Sequence, residues 1–309
     1  MHDIVVVGGG PAGLTAAIYG LRNGKSVLVI EKNVFGGQIV NSPNVENIPG
    51  FASVSGDEFG DAMLEQAMGQ GAEVTLEEVT GVEVHPAGKG GNTYFTVSTA
   101  EGSSYEGRTV ILATGTTHRL LGLPGEEDLI GEGISFCAVC DGDFYANKTV
   151  VMIGGGNSAF VEANLLTGIV DKLIMLQDLP FFTADKKAQD QLLANDNVET
   201  HLGTKILNYE VEDGKLVGVT YEEDGETKTA ACDGVFLAVG LVPENDAFAG
   251  VAQLDKRGYF EAGEDCLTKT PGIFAAGDCR SKTLRQVATA CSDGAQAAVE
   301  ACHYLDGLS

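Results

Sequence analysis

Basic residues are scarce in this chain: 19 lysines and arginines face 44 acidic residues, leaving a formal net charge of −25. So negative a surface repels phosphate backbones and anionic bilayers, which argues against nucleic acid or a membrane as partner. The acidic excess reads as a solvated face, with steering of a basic partner as the alternative. No apolar run approaches the ~18 residues that span a bilayer. The opening Met1-His2-Asp3 lacks the basic stretch of a secretory signal, so the expected compartment is the cytoplasm. A disulfide scaffold is also missing, because the 7 cysteines are an odd number and only Cys137 and Cys140 stand close together. Charged residues make up 20% and hydrophobic residues 44%, ordinary globular values that remove disordered, collagen-like and coiled-coil classes. Prolines number only 8, whereas glycines number 42. That balance points to many tight strand-to-helix turns, as in nucleotide-binding α/β folds. A length of 309 residues suits two domains.

The order of elements agrees. Residues 3–8 form a short β-branched run ending in glycine, an alanine-rich helical segment follows, and SVLVIEK supplies a second strand. The same strand, glycine turn, helix and strand return at 149–177, so the chain holds two βαβ units about 145 residues apart. Between them lie an amphipathic helix around 57–70 and alternating stretches that read as antiparallel strands. Asp213-Gly214 and Asp224-Gly225 mark hairpins appended to the second unit, GIFAAGD at 272–278 is another buried strand, and 288–304 forms a closing helix.

Gly8, Gly10 and Gly13 satisfy G-x-G-x-x-G directly after a strand, and Glu31 ends the next strand. In that context the glycines admit a pyrophosphate to the helix N-terminus and the carboxylate accepts from a ribose hydroxyl, so a dinucleotide is expected here. Gly154, Gly156, Asn157, Ser158 and Ala159 fit the G-x-G-x-x-A variant and offer a second dinucleotide site. No lysine or arginine follows its second strand before Lys186 and Lys187. A 2′-phosphate therefore lacks a partner, whereas Asp178 can accept from a free 2′-hydroxyl, which favours NADH over NADPH; a vestigial site is the alternative. Cys137-Ala138-Val139-Cys140 is a lone C-x-x-C, and the five histidines show no spacing that completes a zinc site, so no metal is expected. A redox-active disulfide is the better reading, with Asp141 as proton donor and acceptor or as an exposed turn carboxylate. The other cysteines read as packed thiols.

These motifs, together with Gly36-Gly37-Gln38, Asn47-Ile48-Pro49-Gly50, Ala113-Thr114-Gly115, Gly277-Asp278 and Leu284-Arg285-Gln286-Val287-Ala288, resemble the low-molecular-weight thioredoxin reductases in order and spacing over nearly the whole chain. The resemblance implies two Rossmann-like, three-layer ββα domains, the second inserted into the first. FAD would be held by residues 1–116 with 246–309, and residues 117–245 would form an NAD(P)-binding-like domain bearing the cysteine pair. Carried over, FAD contacts fall on Gly8, Gly10, Pro11, Ala12, Gly13, Glu31, Lys32, Gly37, Gln38, Asn47, Ala113, Thr114 and Gly115, and on Asp278, Arg285, Gln286, Val287 and Ala288. Cys140 resembles the flavin-proximal cysteine, Cys137 the one exchanging with a thioredoxin-like protein, and Asp141 the acid-base group. A homodimer and a rotating middle domain are implied as well.

The chain departs from the family where NADPH-dependent members place an arginine cluster after the second strand, here Leu176-Gln177-Asp178 and Phe181-Phe182-Thr183-Ala184. The donor thus stays open among NADH, NADPH, reduced ferredoxin and a deazaflavin. Two other functions also stay open, a flavin-dependent dithiol oxidase using oxygen and a non-enzymatic redox-sensor flavoprotein.

Overall fold

A computed structural model describes residues 1–42, 45, 47–87 and 92–307, with the side chain of Cys140 outside the described residues. The chain divides into two compact units, residues 1–117 with 242–309, and residues 118–241.

The first unit begins with β1 (His2–Val7), α1 (Pro11–Arg22) and β2 (Val27–Glu31). There follow α2 (Gly56–Gly69), β3 (Glu73–Leu76), β4 (Val79–His85), β5 (Tyr94–Thr99) and β6 (Ser104–Leu112). Strands β3, β2, β1 and β6 are parallel neighbours, and β5 and β4 continue antiparallel beyond β6. Ile4, Val6, Val27 and Val29 point to one face and Val5, Val7, Leu28 and Ile30 to the other, all buried. A sheet covered on both sides explains why β1 and β2 are continuous apolar runs without alternation.

The chain crosses at β7 (Thr117–His118) into the second unit, which holds β8 (Ile134–Ser135), α3 (Ala138–Asp141), β9 (Thr149–Ile153) and α4 (Asn157–Leu166). Next come β10 (Lys172–Gln177), α5 (Lys186–Leu193), β11 (Val198–Leu202), β12 (Lys205–Glu212), β13 (Lys215–Glu223), β14 (Glu226–Ala231) and β15 (Gly234–Leu237). The parallel sheet has the order β11-β10-β9-β15-β8. One face, through Val151, Ile153, Ile174 and Leu176, meets Tyr209, Val219 and Tyr221 of the antiparallel β12-β13-β14 sheet. The other, through Val150, Met152, Leu173 and Met175, meets Phe160 and Ala163 of α4. Asp213-Gly214 and Asp224-Gly225 all have positive φ, between 49° and 79°, the two-residue hairpin turn whose twist matches the flanking strands.

The return is along β16 (Leu241–Val242), paired with β7. Back in the first unit, β17 (Ile273–Ala275) adds parallel to β6, and α6 (Val287–Gly307) joins α1 and α2 on one face through Ala297, Ala298 and Ala301. The opposite face carries Phe95, Phe248 and Phe260. Each unit is therefore a three-layer ββα sandwich around a parallel sheet. No helix among the described residues is long and apolar enough to cross a membrane.

Candidate active site

In the first unit the turn from β1 to α1 is forced to be glycine by close approach. A Cβ on Gly13 would lie 1.8 Å from the carbonyl oxygen of Gly8, and one on Gly8, at φ +107°, would lie 2.2 Å from that of Ala113. Gly10 differs: its Cβ would meet nothing nearer than 3.8 Å, so the turn is open on that side. No side chain caps α1 there, Pro11 stands in its first turn and no acidic residue follows, which leaves first-turn N–H groups and the positive helix end for an anion. Glu31 accepts from Gly9 N–H at 2.7 Å and from Asn33 N–H at 2.9 Å, so it braces the turn with both oxygens. A cleft of about 430 Å³ opens at the carboxyl ends of these strands, lined by Gly8, Ile30, Lys32, Val79, Thr114 and Phe248. That is the end of a parallel sheet where dinucleotides bind.

The other expected contacts converge on the same unit. Gln38 Nε2 donates to the Thr116 carbonyl, Asn47 Nδ2 donates to Gln286 Oε1 at 2.9 Å, and Lys32 pairs with Glu244. Thr114 Oγ1 donates to Asn245 Oδ1 at 2.7 Å. Arg285 is committed to the backbone, donating to the carbonyls of Asp278, Lys282 and Arg280 while lying 4.1 Å over the Tyr259 ring. Val287 and Ala288 open α6. Asp278 follows β17 on a short 3₁₀ turn, where burial pushes its carboxyl up. Among the described residues its Oδ1 is the one buried side-chain oxygen without a hydrogen-bond partner, a group that needs a partner from outside the chain. An uncapped helix end over an open glycine, a cleft at the strand ends and an orphaned carboxyl oxygen fit an extended, hydroxyl-bearing dinucleotide such as FAD.

Sequence reasoning passed over what holds that turn. Asp293 on α6 accepts from Arg280 Nε and Nη2, each at 2.8 Å, from Lys282 Nζ at 2.8 Å and from Gly277 N–H at 2.9 Å. No motif marks Asp293, Arg280 or Lys282, because they are brought together by the packing of a loop on a helix.

The second unit repeats the first. Gly154, at φ +130°, would place a Cβ 2.3 Å from the Ala238 carbonyl, as Gly8 does against Ala113, while Gly156 is open to 3.6 Å. Asn157 opens α4 without a side-chain cap or first-turn acid, its Oδ1 accepting from Asp185 N–H at 2.7 Å; Ser158 is exposed and Ala159 buried. Val7 pairs with Ile30, and Ile153 pairs with Leu176. The place held by Glu31 in the first unit therefore belongs to Gln177 in the second, and Asp178 stands one residue beyond it, exposed. Gln177 is 5% exposed and packs behind Gly155 beside Phe182, the arrangement Glu31 and Phe35 make behind Gly9. This turn is open at Gly156, and the residue at the position of Glu31 is a buried neutral amide.

The cysteine pair lies in the same unit. Cys137 is disulfide-bonded and directly precedes α3, which contains Cys140 and ends at Asp141. Two buried or half-buried side chains organise that turn. Ser135, at the end of β8 and 4% exposed, accepts from Cys137 N–H at 3.0 Å and donates to Asp141 Oδ2 at 2.6 Å. Glu162 on α4 accepts from Ala138 N–H. Neither was singled out from sequence, since Glu162 is 24 residues from Ala138. The remaining thiols are free, and burial pushes Cys232 and Cys266 up to about 12 and Cys279, Cys291 and Cys302 up as well. Thiols held protonated at neutral pH are poor nucleophiles. Among the described residues no group of histidines, cysteines and carboxylates could hold a metal ion.

Burial raises the Glu162 carboxyl and the Ala138 N–H only partly offsets it. A carboxyl whose folded-state pKa is raised stabilises the fold below the ordinary value near 4.5 and loses that contribution as pH rises through the folded value. Glu162→Gln keeps the acceptor without the charge. Its Tm is expected to match the parent at pH 4.5 and exceed it at pH 7.5; equal melting at both would contradict the assignment.

Residues 2–294 match the pyridine nucleotide-disulphide oxidoreductase family. The chain is similar to thioredoxin reductase of Listeria innocua, 40% identical over 311 residues covering 100% of this chain and 95% of that one. It is similar also to thioredoxin reductase of Treponema pallidum, 40% identical over 310 residues covering 99% of this chain and 98% of that one. A crystal structure of Lactococcus lactis thioredoxin reductase superposes with a TM-score of 0.92 at 35% identity, covering 99% of this chain and 100% of that one. With two glycine turns, an uncapped helix at each and a disulfide in the second unit, the chain belongs to the pyridine nucleotide-disulphide oxidoreductases, in the low-molecular-weight thioredoxin reductase family.

Proposed function

We propose that this protein is an FAD-dependent disulfide reductase that passes electrons through Cys137 and Cys140 to a thioredoxin-like protein, taking them from NADH in preference to NADPH. The observation that carries the reading is the disulfide-bonded Cys137 at the start of α3, held by Ser135 and followed by Asp141, within a unit that has its own open glycine turn. Bound in the first unit, FAD supplies a two-electron carrier able to reduce the disulfide. Gly10 and the first turn of α1 would hold its diphosphate, and Asp278 would accept or donate at a hydroxyl.

The protein's own groups do the rest. In the reduced pair, the Cys137 thiolate attacks one sulfur of the substrate disulfide, forming a mixed disulfide and expelling the second sulfur as a thiolate, which takes the proton held at Asp141. Cys140 then attacks the Cys137 sulfur, releasing the substrate dithiol and restoring the pair as a disulfide. Two thiols are oxidised for one disulfide reduced.

The donor preference rests on the segment from Gln177 to Asp185, which contains no lysine or arginine. A 2′-phosphate placed there meets Asp178 and Asp185 with no counter-charge. Anaerobic titration of the flavin absorbance tests this: NADH is expected to bleach it at least about tenfold more efficiently than NADPH, the worth of one charge-assisted contact. Bleaching by NADPH at equal or lower concentration overturns the preference, and none by either redirects the search to reduced ferredoxin or a deazaflavin as donor. The same missing cations favour one second reading, a flavin-dependent dithiol oxidase; peroxide formed from dithiols without an added reductant would select it. We take the working form to be a homodimer, which sedimentation of the flavin-loaded protein checks.

A further inference from the structure

We propose that Ser135 is a positioning residue of the disulfide centre, a hydroxyl that holds the Asp141 carboxylate in place and couples its protonation to the Cys137 backbone. The inference rests on the reductase reading for its purpose, but on geometry for its content. Ser135 closes β8, which is paired through Phe236 to the parallel sheet, so its hydroxyl is fixed by the sheet and not by the cysteine loop. Three groups of the centre meet on that one oxygen: Cys137 N–H at 3.0 Å, Asp141 Oδ2 at 2.6 Å and the Cys137 carbonyl at 3.3 Å. The Cys137 carbonyl accepts in addition from Asp141 N–H at 3.1 Å, which closes the ring of contacts.

A hydroxyl has one hydrogen and two lone pairs, so these contacts cannot all be served in one state. With Asp141 ionised, the hydrogen goes to Oδ2, the shorter contact, and Cys137 N–H occupies one lone pair. When Asp141 takes a proton, its carboxyl O–H donates to the second lone pair and the serine hydrogen turns to the Cys137 carbonyl. Every polar group keeps a partner in both states, and the proton stays within the ring. Among the described residues, the ionisable groups on the elements that adjoin α3 include Glu162 from α4, which is engaged by Ala138 N–H, and Tyr145 and the exposed Asp143 on the turn that follows. Burial first and the Asp141 charge second push the Tyr145 hydroxyl up, so Tyr145 stays neutral over the pH range of the test below.

The test is alkylation of Cys137 by iodoacetamide in the flavin-loaded, dithiothreitol-reduced protein between about pH 4 and pH 9, read on its peptide by mass spectrometry. An acid limb is expected that Asp141→Asn removes. Ser135→Ala deprives the carboxylate of its donor, so the limb should move up by about one pH unit, a roughly tenfold slower reaction at a pH on the limb. Ser135→Thr should restore it. Ser135→Thr and Ser135→Val form an isosteric pair that makes the same comparison if the alanine variant does not fold. The proposal is overturned by a profile without an Asp141-dependent limb. It is overturned equally if removing the hydroxyl leaves the limb in place, or if the same slowing persists in the Asp141→Asn background. Alkylation needs neither nucleotide nor protein substrate, so a protein that failed as a reductase would still give this profile, and the two failures are told apart.

Discussion

Cys140→Ser is expected to keep its flavin and to lose disulfide reductase turnover by at least about 10³-fold, the scale seen when a residue that forms a covalent intermediate is removed. Serine matches the thiol in size but cannot form or resolve a disulfide. In the exchange proposed above, Cys137 still attacks the substrate disulfide, and the mixed disulfide then has no thiol to release it. A covalent adduct with the thioredoxin-like partner should therefore accumulate on a non-reducing gel, whereas Cys137→Ser should abolish turnover without that adduct. None of the other cysteines can substitute, since burial keeps their thiols protonated. Both variants should still bind flavin at the parental stoichiometry, because the glycine turn, cleft and Asp278 that would hold it belong to the first compact unit. More than about one per cent of parental turnover in Cys140→Ser would sink the exchange mechanism.

Asp293→Ala should be the most damaging single change to the first unit. Arg280 is 1% exposed and the Lys282 side chain 5% exposed, and both donate to the Asp293 carboxylate. Removing it takes away the carboxylate both cations donate to, leaving Arg280 its reach to the largely exposed Glu264 and Lys282 the charge of nearby Asp278. Breaking such a network from one side costs about 3–5 kcal/mol, a large part of the roughly 5–15 kcal/mol that holds a domain. Tm should fall by about 10 °C or more. Glu264→Ala, which removes a solvent-screened partner, should cost no more than about 1 kcal/mol. Burial alone would raise the Asp293 carboxyl, but hydrogen bonds and charge from Arg280 and Lys282 outweigh it and hold it below the ordinary value of 3.8. Its contribution is accordingly complete above that value and is lost as pH falls below it, so parent and Asp293→Ala should converge in acid. A variant as stable as the parent at pH 7 would show that solvent reaches these cations. Because Gly277 N–H and Arg280 flank Asp278 and bind the same carboxylate, flavin affinity should fall with stability.

Much of the candidate site was legible before any coordinates. Glycine at 8, 13 and 154 is dictated by backbone approach of 1.8–2.3 Å, a constraint that leaves a short pattern in the chain. The Asp-Gly hairpins are legible for the same local reason, a pair of positive φ angles. The C-x-x-C and the acid after it are neighbours in sequence and remain neighbours in space. Other features depend on register and packing. Whether Gln177 or Asp178 faces the second glycine turn is decided by the pairing of Ile153 with Leu176, and a shift of one residue exchanges a buried amide for an exposed carboxylate. The Asn47–Gln286 contact joins residues 239 apart. Lys32, expected beside the cofactor, is drawn into an ion pair with Glu244, which no motif includes.

What the amino-acid order determined by itself is the repeated strand, glycine turn and helix, the redox pair and the absence of cations after β10, because each is set within a few residues by backbone sterics or by composition. The tertiary structure alone decided what supports those parts: the Asp293 network under the Gly277 turn, Ser135 at the centre of the cysteine loop, and Glu162 on the Ala138 N–H. These are buried polar groups whose partners come from different elements. Burial makes each contact strong; sequence distance hides those of Asp293 and Glu162, while those of Ser135, two and six residues from its partners, depend on how the end of β8 turns into α3.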